Sequence, residues 1–150
     1  MKTLSLPIRF GLVTSAVLIA YFLILALFGK HTNPVFSFFN AVITVFGIYE
    51  AVRLQKLKDT DSFSYGEGFK TGIITGFVAT FFFTAFFLFY TTEINPGFLS
   101  ELLENIDGVF NIDIGMVTFI VAIMGVATTV ISTLTVMQLF KNSGNILQKK

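Results

Sequence analysis

Acid–base, nucleophilic or metal chemistry in this chain would have to be assembled from very few side chains. There is one histidine, His31, and no cysteine, so the thiolate nucleophile, the disulfide and the Cys/His metal set are all excluded. The carboxylates to weigh are Glu50, which comes closest to lying within a span, and Glu67. Glu50 stands three residues before Arg53, a spacing that predicts an interfacial ion pair on one helix face. Glu67 follows Ser64 at capping-box spacing. The serine hydroxyl accepts from the backbone N–H of Glu67, and the carboxylate accepts from the N–H of Ser64. His31, beside Lys30 in a short turn, is expected to be a polar loop residue. The sequence contains no nucleophile–base set, no phosphate-cradling loop and no haem-ligand histidine pair. The polar segments are too short for a nucleic-acid-binding module. These residues predict a non-enzymatic protein with no cofactor, no metal and no nucleic-acid partner.

The elements that position these groups follow from where the charges are absent. Four uncharged runs, Phe10–Gly29, Thr32–Tyr49, Thr71–Thr92 and Ile114–Phe140, span 20, 18, 22 and 27 of the 150 residues. A water-soluble domain of this size needs charged faces on its surface helices, so that class is excluded. A bilayer core about 30 Å thick needs roughly 20 apolar helical residues. The expected fold is therefore an all-α membrane protein, a bundle of four transmembrane helices in one domain, with spans near 10–29, 34–53, 65–92 and 114–140. The first run exceeds a usual signal-peptide h-region and lacks a cleavage site after it, which predicts an uncleaved helix.

Lysine and arginine set the orientation. Lys2, Arg9, Arg53, Lys56, Lys58, Lys70, Lys141, Lys149 and Lys150 fall on the side of the termini, and only Lys30 on the other. Both termini are expected in the cytoplasm. Glu93, Glu101, Glu104, Asp107 and Asp113 fall outside. Between the third and fourth spans, Asn95-Pro96 reads as an N-cap and first-turn proline. Phe98, Leu99, Leu102, Leu103 and Ile106 then recur on one helical face. This predicts a short external amphipathic helix over about 96–107, lying on the leaflet, packed on the bundle as a lid, or presented to a partner. Asp113 is a candidate N-cap for the fourth span and Gly144 a candidate stop after it.

Two further patterns concern packing. Arg9-Phe10-Gly11-Leu12-Val13-Thr14 aligns with Lys70-Thr71-Gly72-Ile73-Ile74-Thr75, and each helix leads to an Asn-Pro-x-Phe turn, Asn33–Phe36 and Asn95–Phe98. Two duplicated parallel hairpins would be related by a two-fold axis along the membrane normal. Gly68, Gly72 and Gly76 recur every four residues on the third span, and Gly125 lies among small residues of the fourth. Such a stripe lets another backbone approach closely, within the bundle or in a homo-oligomer.

Ser62-Phe63-Ser64-Tyr65-Gly66-Glu67-Gly68-Phe69-Lys70-Thr71-Gly72, with the glycine-bearing first helix and the Asn95-Pro96-Gly97-Phe98-Leu99 turn, resembles the domain-of-unknown-function family 4199 over nearly the whole chain. The resemblance implies a small four-helix protein of the bacterial inner membrane with no established activity and no catalytic residues to transfer. The lipid bilayer is the expected partner, together with a second copy or another membrane protein. An accessory or scaffolding role is the first expectation. A small oligomeric transporter or channel is the alternative, disfavoured because no ionisable residue lies near a midplane.

Overall fold

Local signals decide where each helix starts. A computed structural model describes residues 4–59, 63–106 and 112–141. Helix α1, Leu6–Leu27, carries Pro7 in its first turn, where a missing N–H costs nothing. It ends in a Schellman motif: Gly29, at φ +63°, donates to the carbonyl of Ala26, and Lys30 donates to that of Leu25. Helix α2, Pro34–Lys58, is capped by Asn33, whose side chain accepts from Val35 N at 3.0 Å. Helix α3, Tyr65–Phe89, starts on the Ser64–Glu67 capping box, with reciprocal bonds of 3.2 and 3.0 Å. It runs on as a π-helical turn, Tyr90–Ile94. A short helix α4, Phe98–Ile106, and the last long helix α5, Ile114–Leu139, complete the order. Asp113 caps α5, accepting from Met116 N at 2.7 Å.

Some bounds differ from the sequence expectation. Helix α2 runs to Lys58, past the expected end at 53. The α-helical part of α3 stops at Phe89, where the helix widens into the π turn that Asn95 N closes by donating to Tyr90 O at 2.8 Å. Helix α4 begins at Phe98 rather than 96: Pro96 and Gly97 form a turn, and Phe98 N donates to Asn95 O at 3.0 Å. Gly144 lies outside the described residues. There is no strand among the described residues, and four helices are long and apolar enough to cross a membrane. Their outer faces carry large apolar side chains such as Phe46, Phe81 and Phe119, each more than half exposed. That reverses the pattern of a water-soluble surface.

Helix α3 is the hub, packing against α1, α2 and α5. Its glycines face α5 in an antiparallel register. A Cβ built on Gly68, Gly72 or Gly76 would fall 2.8 Å from Met137 Cε, 2.6 Å from Thr133 Cγ2 or 2.3 Å from Thr129 Cγ2. One turn further the roles reverse, and a Cβ on Gly125 of α5 would fall 2.4 Å from Thr80 Cγ2. The partners thus advance a turn along α3 as they retreat a turn along α5. The stripe is filled from within the chain and is not free to pair with a second copy. Elsewhere Gly47 of α2 accepts Thr14 of α1, and Gly11 of α1 accepts Val78 of α3.

The hairpins do not pack as a two-fold pair. A two-fold relating α1 to α3 and α2 to α5 would make the α2–α3 and α1–α5 contacts equivalent. Instead α2 packs along α3, while α1 and α5 hardly touch. The sequence similarity between the hairpins therefore does not extend to their packing.

The seam predicts a coupled effect. Gly72→Ala should destabilise the protein in detergent micelles by about 1–3 kcal/mol through overpacking. Thr133→Ala, which removes the two nearest atoms, should recover part of that loss in the double variant. Denaturation midpoints of the two single variants and the double variant measure this. Strictly additive effects would show that the two residues do not meet.

Candidate functional site

Helices α2 and α5 meet at one end and part at the other. At the end carrying Arg9, Lys58, Lys70 and Lys141, the basic end, Ile48 and Val52 of α2 are fully buried against Val136 and Met137 of α5. Tyr49 and Phe140 close this contact with rings 5.6 Å apart. Toward the opposite, acidic end, Val121, Val117 and Ile114 of α5 turn to a different cluster, built on Phe22, Phe87, Tyr90 and Phe98. The first half of α2 is left standing apart.

The space between is a cleft of about 390 Å³. Ser37, Phe38, Asn40, Ala41 and Thr44 of α2 form one wall, and Val121, Met124, Gly125 and Thr128 of α5 the other. Thr80, Phe83 and Thr84 of α3 lie between them, with Leu18 of α1 and Pro34 at the margins. No charged side chain lines it. Asn40 and Thr84 border the cleft, but their Oδ1 and Oγ1 atoms are buried away from it and have no hydrogen-bond partner in the protein. Thr84 shares this with Thr133. Thr44, Thr91, Thr118, Thr129 and Thr135 all donate to the carbonyl four residues back, at 2.8 to 2.9 Å.

At the acidic end His31 lies in the turn between α1 and α2, as its sequence setting predicts. What the sequence did not indicate is its burial: its side chain is 6% exposed. Its ring lies 5.7 Å from Phe22, 6.0 Å from Tyr90 and 5.4 Å from Phe98. Nε2 is 3.5 Å from Asn95 Nδ2 and 4.0 Å from Glu101 Oε2, and Nδ1 is buried without a partner. Phe98, 2% exposed, brings α4 onto the aromatic cluster, and Leu102 packs beside it. Thus α4 sits as a lid on the ends of α1 and α3, clamped over His31. Burial pushes the imidazole below its usual 6.5, against a smaller upward pull from the Glu101 carboxylate.

The remaining residues singled out from sequence lie apart from both places. Arg53 donates to both oxygens of Glu50, at 3.2 and 3.3 Å, near the basic end, and the arginine is half exposed. Ser64 and Glu67 are exposed at the start of α3 and occupied with each other. Gly68, Gly72 and Gly76 lie on the seam, and Gly125 reaches both the seam and the cleft. Asn40 and Thr44 are polar residues within a long apolar helix, and nothing in the sequence spacing places them on the same cleft as Thr84. Among the described residues, no group of three His, Cys, Asp or Glu could hold a metal.

The profile of the family described as "Protein of unknown function (DUF4199)" matches residues 9–114. The chain belongs to this family. The DUF4199 match begins in α1 and ends at the first residue of α5, so it stops short of the nearly whole chain expected. It includes α2, α3, the π turn and α4, hence both Asn40 and His31. No curated protein and no solved structure matches the chain.

The His31 clamp sets a pH dependence for the α4 lid. The docked lid favours the neutral imidazole, so this stabilisation is complete above the unfolded value of 6.5. It is lost as pH falls through the lower folded value. Hydrogen exchange at Leu102 and Leu103, corrected for intrinsic rates, should speed up between about pH 7 and 5, the range in which histidine titrates. His31→Phe keeps a ring in the cluster and should flatten that dependence. Identical pH profiles for the two proteins would rule the clamp out.

Proposed function

We propose that this chain is a multi-pass protein of the bacterial inner membrane, with both termini in the cytoplasm. It acts as a non-enzymatic accessory or scaffolding component. The observation that carries this reading is the α3–α5 seam. Four successive close contacts along two long helices make a rigid frame, because packed small-residue interfaces resist sliding. A scaffold requires that rigidity, whereas a rocking transporter requires an interface that moves. Its partner is another membrane protein or a further copy, met through surfaces other than the filled glycine stripe. The sorting of basic residues to one end and Glu93, Glu101, Glu104 and Asp113 to the other supports the orientation.

The cleft is the one observation that favours the alternative, a small oligomeric transporter or channel. Its basic end is closed by the buried contact of Ile48 and Val52 with Val136 and Met137. A single copy therefore offers a dead end rather than a path.

Because the chain has no native cysteine, single cysteines report topology directly. Ser100→Cys should react with a membrane-impermeant maleimide on intact cells, and Lys58→Cys only after lysis. The reverse pattern would invert the orientation. In reconstituted vesicles, glycerol and urea should leak at the protein-free rate. After mild solubilisation a partner membrane protein should be retained at fixed stoichiometry. Protein-dependent flux would overturn the scaffold reading in favour of transport.

A further inference from the structure

We infer that a second groove, between the start of α1 and the end of α2 at the basic end, binds one anionic phospholipid, its phosphate held between Arg9 and Lys58. The groove follows from the packing. The hairpin is tightest where Thr14 of α1 sits on Gly47 of α2. On the basic side of that crossing the two helices are claimed by different neighbours. Helix α1 is drawn to α3, where Val78 fills the space at Gly11 and the Thr75 hydroxyl donates to Pro7 O at 3.2 Å. Helix α2 is drawn to α5 through Ile48 and Val52. The wedge left between them has a volume of about 540 Å³ and is lined by Leu6, Arg9, Phe10, Val13, Leu54 and Lys58, with Leu4 at its margin. Leu4 and Val13 are each more than half exposed, so the wedge opens on the outer face of the bundle.

Charge selects the occupant. Arg9 on one wall and Lys58 on the other bring two positive charges to a groove with no carboxylate among its lining residues. The nearby acids are taken: Glu50 accepts from Arg53, and Asp59 accepts from Gln55. Lys56 stands over the Phe140 ring. Among the described residues neither Arg9 nor Lys58 has an ion-pair partner. An anion placed between them answers both, and a guanidinium gives phosphate oxygens paired donors. The apolar walls select what the anion carries. A free phosphate has nothing to set against Leu6, Phe10, Val13 and Leu54, whereas an acyl chain does. At about 30 Å³ per water-sized group, 540 Å³ holds roughly 18 groups, a phosphoglycerol head and the first methylenes. The rest of the chains run along the exposed side chains of Val13 and Val17. A zwitterionic head would bring its own cation against Arg9 and Lys58 and gain less. Near a membrane surface each basic residue is worth roughly fivefold toward an anionic lipid, so the pair gives a preference of roughly twentyfold. This site rests on the reading of the chain as membrane-spanning, and makes no demand on its orientation or scaffolding role.

The test titrates the full chain, in micelles of a neutral detergent, with dioleoylphosphatidylglycerol or dioleoylphosphatidylcholine and counts bound lipids by native mass spectrometry. One phosphatidylglycerol should be retained per chain, at a concentration roughly twentyfold lower than phosphatidylcholine requires. Arg9→Gln and Lys58→Gln should each weaken that retention about fivefold, with helix content unchanged. Lys70→Gln and Lys141→Gln remove the same charge from the same end and should leave it unchanged. An excess of glycerol 1-phosphate should not displace the lipid. Equal retention of the two lipids, equal weakening in the Lys70 and Lys141 variants, or displacement by glycerol 1-phosphate, the mark of a free-anion site, would each overturn the proposal. The lipid comparison uses the native chain, so a variant that misfolds does not shield it. Recovery of the chain from cells in the soluble fraction would overturn the membrane reading and the site with it. A membrane-embedded chain without lipid preference would overturn the site alone.

Discussion

The close approach of α3 and α5 is the constraint on which the other packing depends. In the bilayer proposed for helices this apolar there is little hydrophobic drive between them, and dispersion at short range must hold the interface. Removing side chains at Gly68, Gly72 and Gly76 lets Met137, Thr133 and Thr129 sit directly on the α3 backbone. The reversal at Thr80 and Gly125 then fixes the register. Sliding α5 by one turn would set Thr80 against Thr129, two branched side chains where there is room for one. Sliding it the other way would set Gly76 against Gly125 and leave a void. A stripe of glycines on one helix alone would tolerate either slide.

With α5 held along α3, its two ends have different neighbours. The basic end is pinned to α2 by Ile48, Val52, Val136 and Met137. The acidic end is drawn to Phe22, Phe87, Tyr90 and Phe98. Helix α2 is meanwhile tied back to α1, through Thr14 seated on Gly47 and the Tyr21 hydroxyl donating to Phe36 O at 3.0 Å. The two walls of the cleft are therefore held by different partners. Closing it would require breaking either the aromatic cluster or the α1–α2 contact, so the cleft is a consequence of the packing and not a local defect in it.

What could be read in the sequence was whatever depends on neighbours in the chain. Ser64 with Glu67, and Asp113, cap helices through atoms three residues away, and the charge-free runs mark the long helices. The period of the α3 glycines was legible too, but their partners were not, because Thr129 and Thr133 are two among several small residues on α5 and only the register selects them. His31 shows the limit most clearly. Its sequence neighbours, Lys30 and Thr32, describe a loop. Its burial comes from Tyr90 and Phe98, brought over it by the π turn and by α4. Helix α4, expected from about 96, starts at Phe98 because the turn at Pro96 and Gly97 intervenes before it.

The polar groups of this molecule fall into three kinds. Charged groups stand at the helix ends, where water can solvate them. Several threonines within the helices return their hydroxyls to their own backbone, which satisfies them wherever they face. The third kind, Asn40 and Thr84, is satisfied by neither route. A buried polar atom without a partner is unfavourable in any apolar setting, and valine or leucine would fill the same volume without that cost. Among the described residues Thr133 Oγ1 and His31 Nδ1 are held in the same way: Thr133 is pressed against Gly72 and His31 is ringed by Phe22, Tyr90 and Phe98. In each case close packing around the backbone or the rings leaves the polar atom no room for a partner.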